Sequence, residues 1–400
     1  MLASLISLVL SSCLANAAPA PSSLAATLIK HGETLLNSDG IPANYSPPGG
    51  VGVSPNDPPP AYVTISDFDF QSINLALNQE FIELDLFHRG LAMFSADEFA
   101  EAGITAADQF LIEFMADQEV SHAELLTDML GPRAAKPCSY QYPFTTVRQF
   151  FDFCQKLTRF GESGVYGFLP HLDSRPAANL LTLSITTEAR QQMIFRQFAG
   201  AFPMPVHFET GPPQAWAWTM LSPYLKSCPS ENPLIQFQIF PSLNVTNNPS
   251  SGNGTSAIYL AAISTNRTSL SYAGREVNFT WNLPGHLTGY DGRYKTASNA
   301  VQSSQFALWV AQLNATYTPL TNVNLTSRTA TTYQPNNTVF PPSDFRQLYY
   351  AVPGSATNNN GVVNGTMFVA LTDTDLPVTP YNLSLVNQHV VAGPAIYQAD

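Results

Sequence analysis

A carboxylate and an imidazole stand three residues apart in Gln118-Glu119-Val120-Ser121-His122, inside a stretch whose apolar residues recur with helical period. Positions i and i+3 share one face of a helix, so Glu119 and His122 can offer an oxygen and a nitrogen donor to the same point. Glu-x-x-His on an inward helix face is how some four-helix bundles hold iron or manganese. A dinuclear centre uses that motif twice and adds one Glu from each of the other two helices. The remaining carboxylates are at hand as Glu80, Glu162 and Glu188, each in mid-stretch of another apolar-periodic segment. The second motif, however, reads Glu188-Ala189-Arg190-Gln191, with glutamine at the histidine position. An imidazole is a good ligand for iron, copper or zinc, whereas a glutamine carbonyl oxygen is a weak, hard donor suited to calcium or magnesium.

Four carboxylates converging in a partly dry core repel by roughly 4 kcal/mol per pair at about 4 Å and an effective dielectric of about 20. Two arrangements neutralise them. In one, one or two divalent ions, iron or manganese, occupy the site with His122 as the sole imidazole. In the other there is no metal. One or two carboxyls are protonated, and Gln191, Gln192 or His122 complete a hydrogen-bonded network.

Four helices must position these residues. The first follows a cap at Ser66-Asp67, with a seam through Ile73, Leu77, Leu84, Phe87 and Leu91 and with Glu80 where a leucine would stand. The second runs from Thr105 to Leu130 and stops at Gly131-Pro132. Glu119 and His122 interrupt its seam of Leu111, Met115, Leu126 and Met129. Thr145 or Thr146 caps the third, whose seam passes Phe151, Cys154, Thr158, Glu162 and Val165. Gly161, Gly164 and Gly167 imply close packing or a kink there. The fourth starts after Pro176 and carries Leu181, Ser184, Glu188, Gln191 and Phe195 to a stop at Gly200. Glu83, Asp85, His88 and Arg89 read as the solvated face of the first helix, and His171 and His207 as structural.

After an aromatic crossover containing Trp216, Trp218 and Tyr224 the composition changes. Glu276 is the only glutamate after Glu231, and Ser, Thr and Asn dominate. Short alternating runs at Ala257 to Ile263, Glu276 to Leu283, Phe306 to Leu313 and Thr366 to Leu371 predict antiparallel strands. The fold class is therefore α+β multidomain, a four-helix bundle followed by an antiparallel β-sandwich-like domain. Its expected divisions are a signal peptide at 1–18, a Pro/Gly/Ser-rich leader at 19–62, the bundle with its crossover at 63–230 and a β-rich glycosylated domain at 231–400.

Export is expected from the apolar run Leu2 to Leu14 and the A-x-A pattern Ala15-Asn16-Ala17, although no basic residue precedes the run. Sequons at Asn44, Asn244, Asn253, Asn266, Asn278, Asn314, Asn324, Asn336, Asn364 and Asn382 agree with a secreted, extracellular or cell-wall location. Of 4 cysteines, Cys13 leaves with the signal. Cys154 falls on a helical face, which leaves Cys138 with Cys228 as the expected bridge; the alternative is three free thiols. A net charge of −12 excludes a basic nucleic-acid interface, and no later run is apolar for long enough to span a bilayer. There is no nucleophile elbow and no phosphate-cradling glycine loop.

The segments Asn78-Gln79-Glu80-Phe81-Ile82-Glu83, Gln118-Glu119 with His122, Phe160-Gly161-Glu162-Ser163-Gly164-Val165-Tyr166 and Thr187-Glu188-Ala189-Arg190-Gln191-Gln192-Met193 resemble the secreted ferritin-like domain family. That family includes plant desiccation-related proteins, and the likeness is greatest to its fungal branch of stress-response and late-sexual-development proteins, to which Gln191 is also similar. The resemblance implies a ferritin-like bundle, a β-rich tail and a role in stress or development; robust catalysis is not expected because the second motif is Glu188-x-x-Gln191. The residues themselves leave two further readings open. One is an iron or manganese carboxylate protein acting in iron storage, iron oxidation or peroxide handling. The other is binding of cell-wall polysaccharide or the cell surface through exposed tail aromatics such as Trp281 and Trp309.

Overall fold

The computed structural model describes Asp39 and residues 58–249, 270–335 and 365–399. The expected signal peptide, the leader up to residue 57, the strand expected over Ala257 to Ile263 and the sequons at Asn44, Asn253, Asn266, Asn336 and Asn364 lie outside the described residues. Ala61–Asp400 forms one compact unit.

Each long helix begins where a side chain satisfies the free backbone amides of its first turn. Helix α1 (Asp67–Met93) starts at Ser66, whose Oγ accepts from the Asp69 amide. Short α2 (Ala96–Glu101) and long α3 (Ala106–Leu130) both open on reciprocal capping boxes, Ser95 with Glu98 and Thr105 with Asp108. Helix α4 (Val147–Phe168) is capped by Thr146, and α5 (Arg175–Phe198) by Ser174 with Pro176 in its first turn. The apolar α6 (Gln214–Leu221) carries the fully buried Trp216 and Trp218. Helix α1 packs chiefly on α3, and α4 on α5, while α6 lies against α4.

Helix α1 is the central element. Every residue from Asp69 to Glu80 is buried, because α3, α4 and α6 surround it. Its polar side chains there bind the connecting segments. Asp69 accepts from the amides of Asp173 and Ser174, Gln71 from Gln236, Asn74 from Ala135, and Ser72 from the Gln214 side chain. A disulfide joins Cys138 to Cys228, and Cys154 is a buried free thiol.

The tail holds two four-stranded antiparallel sheets. Strands β1 (Leu243–Val245), β2 (Glu276–Trp281), β5 (Thr321–Asn324) and β6 (Thr329–Tyr333) form one, in the order β1-β2-β6-β5. Strands β3 (Phe306–Ala311), β4 (Asn314–Pro319), β7 (Thr366–Thr372) and β8 (Val390–Gln398) form the other, in the order β8-β7-β3-β4. Strand alternation gives the second sheet two buried faces. Ala307, Trp309, Met367, Val369 and Leu371 pack with Val277, Phe279 and Trp281 of the first sheet to make a sandwich core. Leu308, Val310, Phe368 and Ala370 face the other way and share a core with the helices.

This arrangement corrects one expectation. Trp281 and Trp309 are buried in the sandwich, where the Trp309 indole donates to Thr318 Oγ1, so they offer nothing to a polysaccharide. Among the described sequons, Asn244 and Asn324 are exposed and Asn278 and Asn382 half-buried. Asn314 is 5% exposed and donates to Thr316 Oγ1, so the folded chain does not present it to a glycan.

The glycines of α4 serve close packing. A Cβ at Gly161 would lie 2.4 Å from Gln79 Nε2, and one at Gly167 1.8 Å from the backbone oxygen of Pro212. A flexible amide can shift, but the carbonyl of a chain crossing the helix cannot. Alanine in place of glycine within a helix ordinarily adds about 1 kcal/mol of stability. At Gly167 the sign reverses: Gly167→Ala is expected to lower the stability by about 1–3 kcal/mol in urea unfolding, as overpacking does.

Candidate metal centre

Helices α1, α3 and α5 bring Glu80, Glu119, His122 and Glu188 together. One donor atom from each lies within 4.8 Å of the other three, and all four side chains are buried. His122 Nδ1 is the focus, at 3.2 Å from Glu119 Oε2, 3.4 Å from Glu80 Oε2 and 3.7 Å from Glu188 Oε1.

The other ring nitrogen is fixed by a neighbour absent from the seam pattern. Thr187 Oγ1 lies 3.0 Å from His122 Nε2 and 2.7 Å from the carbonyl oxygen of Ser184. A hydroxyl has one proton, and the carbonyl can only accept it, so Thr187 accepts from Nε2–H. That assigns the tautomer: in the neutral ring the Nδ1 lone pair points at the carboxylates. Gln191 turns its amide nitrogen to two neighbouring side chains, and its Oε1 is buried without a hydrogen-bond partner. Its Nε2 donates to Glu119 Oε1 at 2.5 Å and to Gln118 Oε1 at 3.1 Å. Gln192, also buried, lines a separate cavity beside Arg159.

Two glutamates depart from the sequence expectation. Glu162 is fully buried but stands outside the four converging donors, with the buried Arg159 guanidinium 3.7 Å away, one turn back on α4. Glu83, expected on a solvated face, is fully buried, because α1 has neighbours on that side too. Gln79 Nε2 donates to its Oε1 at 2.9 Å. Only His88 and Arg89 of that group are exposed; Asp85 is half-buried and accepts from Tyr142 OH. The three-residue spacing of Glu80 and Glu83 was a usable signal for a shared face. His171 packs against Tyr381, and the His207 amide donates to Gln312 Oε1.

Five buried glutamates therefore have Arg159 and His122 as the cationic side chains beside them. Burial, and then the charges of the other glutamates, push Glu80, Glu83 and Glu188 well above the usual carboxylate range. Burial raises Glu162 to about 7 against the opposing pull of Arg159. For His122, burial works against the imidazolium, but the hydrogen bond and charge of Glu119, followed by Glu188 and Glu83, outweigh it and raise the pKa.

The residues fit a cation. Glu80 Oε2, Glu83 Oε2 and Glu188 Oε1 accept no hydrogen bond although fully enclosed, and a buried carboxylate oxygen without a donor is costly unless an ion or proton supplies charge. The set fits one ion better than two. The four converging donors define one ion position, and Glu162, outside it, has the Arg159 charge 3.7 Å away, although its two oxygens and Gln191 Oε1 are likewise without a hydrogen-bond partner.

The raised values give a direction for stability. A carboxyl whose folded pKa exceeds its unfolded one favours folding while protonated, and that contribution is lost as pH rises through the folded value. A histidine with a raised folded pKa acts with the same sign. Chelator-treated protein is therefore expected to lose stability between about pH 4.5 and pH 7 through Glu162, with Glu80, Glu83 and Glu188 adding to the fall and His122 joining it only above its ordinary value of 6.5. For Glu162 alone the change is about 3 kcal/mol. Thermal melts across that range should show a falling midpoint, less steep in Glu162→Gln.

The family model for a ferritin-like domain matches residues 68–201, which span the four long helices from α1 to the end of α5. Protein rds1 of Schizosaccharomyces pombe is 48% identical over 376 residues, 91% of this chain and 88% of that protein, so the similarity extends through the β-rich region. The chain thus belongs to the family of rds1, and in it a ferritin-like bundle is joined to a tail of antiparallel sheets.

Proposed function

We propose that the bundle is a one-cation carboxylate–histidine centre for iron or manganese, in an exported protein with a role in stress or development. The observation that carries the metal reading is the convergence of three carboxylates on His122 Nδ1, with Nε2 held by Thr187. Glu80, Glu119 and Glu188 would hold the ion through oxygen and His122 through nitrogen, a mixed donor set suited to iron or manganese. When bound, such an ion supplies redox chemistry toward oxygen species. The protein's own residues fix the donor atoms, exclude bulk water and, through Arg159, neutralise Glu162.

Export is supported by the apolar run ending at Ala15-Asn16-Ala17 and by sequons at the exposed Asn244 and Asn324. The role in stress or development rests on the resemblance to the fungal branch of the family. No helix among the described residues is long and apolar enough to cross a membrane.

Elemental analysis of protein purified without chelator and reloaded with ferrous iron or manganese tests the centre. About one ion per chain is expected, lost in Glu119→Ala; below about one tenth of an ion the metal reading fails, and two ions would contradict the single site. Thr187→Val, which frees the outer ring nitrogen, should weaken metal affinity by about 10–100-fold in a competition titration without unfolding the chain.

A further inference from the structure

The first sheet of the tail turns one face to the sandwich core, with Leu243, Val245, Val277, Phe279 and Ala330 inward, so the residues alternating with them point outward. Directly paired residues of an antiparallel ladder share a face. The register draws one outward row across all four strands: Asn244 stands opposite Thr280, Thr280 opposite Thr329, and Thr329 opposite Asn324. Both ends of that row are sequon asparagines, in Asn244-Val245-Thr246 and Asn324-Leu325-Thr326, one on each outer strand of the sheet. Three strand spacings place them about 14 Å apart.

Both asparagines are exposed, and no hydrogen bond among the described residues engages either Nδ2, the atom that an N-linked sugar takes. Asn324 Oδ1 accepts from the amides of Thr326 and Ser327, each at 3.0 Å, which holds the carboxamide by its oxygen and leaves the nitrogen open. Asn314 and Asn278 differ. Asn314 is buried and donates its Nδ2 to Thr316, and Asn278, on the same outward face, donates to Glu276 Oε1 at 3.4 Å. Asn324 also stands on β5, the last strand in the order, whose residues Thr321-Asn322-Val323-Asn324 are all exposed and carry neither charge nor proline. An edge of that kind can template a strand of another chain; shortness and a register shift against β6 are its backbone defences. Val323 and Leu325, 40% and 58% exposed, flank Asn324 and make this edge partly apolar. At the other end β1 lies beside β8, where the Gly393 amide donates to the Pro241 carbonyl.

We propose that the outward face of this sheet carries N-linked glycans on Asn244 and Asn324, and that the glycan on Asn324 keeps the open β5 edge from pairing with a second copy of the chain. A hydrated sugar beside Val323 and Leu325 adds bulk where the strand itself has no charge. The proposal rests on the export reading and is independent of the metal centre.

The full-length chain is expressed in a eukaryotic secretory host, and its glycopeptides are mapped by mass spectrometry. Occupancy above about one half is expected at both Asn244 and Asn324 in protein recovered from the medium. Thr326→Ala then removes the Asn324 sequon while keeping the asparagine and its backbone hydrogen bonds. Sedimentation velocity at about 50 μM is expected to show the mean mass of Thr326→Ala at least about twofold above wild type. Adding Val323→Lys should bring it back, because a charge on an edge strand opposes pairing as a sugar does. Exported chain that is bare at Asn244 or Asn324 would overturn the proposal and leave the export reading standing. So would occupied sites with Thr326→Ala at the wild-type mass, or association that Val323→Lys does not reduce. A chain retained in the cell without any sugar overturns both readings, and only that result touches export.

Discussion

Five glutamates buried in one bundle core, with Arg159 and His122 beside their carboxylates, set the constraint on which the rest of this structure depends. Ionised together they would repel strongly in a medium of low dielectric. The chain meets the problem with several devices. Arg159 takes Glu162, amide donors from Gln79 and Gln191 reach Glu83 and Glu119, and His122 sits among Glu80, Glu119 and Glu188. What remains is a set of oxygens with no donor, and that remainder is why a cation is the economical occupant. The same groups make the metal-free state sensitive to pH, since protons do the work when an ion does not.

Helix α1 has to be rigid for those donors to converge. Its burial from Asp69 to Glu80 follows from the packing of α3, α4 and α6 around it, and its polar residues tie three connecting segments and the start of α6 to one axis. The close approach of α4 rests on small residues, with Gly161 admitting the Gln79 side chain that also serves Glu83. The second sheet continues the same logic outward. With one face in the sandwich and the other on the helices, it makes the tail part of the bundle's packing.

Much of the site was legible in the sequence because a polar residue at a helix seam position is anomalous. Glu80, Glu119, His122 and Glu188 broke an apolar period, and the structure gathers them. Glu83 was illegible for the converse reason. The seam pattern assumes a helix with one dry stripe, and α1 has no wet side at that level, so a glutamate off the stripe is buried too. Thr187 acts through one hydrogen bond between helices, which no periodicity records, whereas Arg159 and Glu162 stand three residues apart on α4, a spacing the sequence does show. In the tail, the named runs locate β2, β3 and β7, but the other described strands and the burial of Trp281 and Trp309 were not readable. Which face of a strand is dry depends on what packs against it, and here both faces of the second sheet are covered.

The central claim is that one ion, held by Glu80, Glu119, His122 and Glu188, completes this core while Arg159 takes the place of a second. Anomalous diffraction from crystals grown with manganese or ferrous iron, collected at the metal edge, tests it most directly. The account predicts a single peak bonded to His122 Nδ1 and to oxygens of Glu80, Glu119 and Glu188, with Arg159 still against Glu162. No peak at that position, or a second peak on Glu162 with Arg159 displaced, would contradict it.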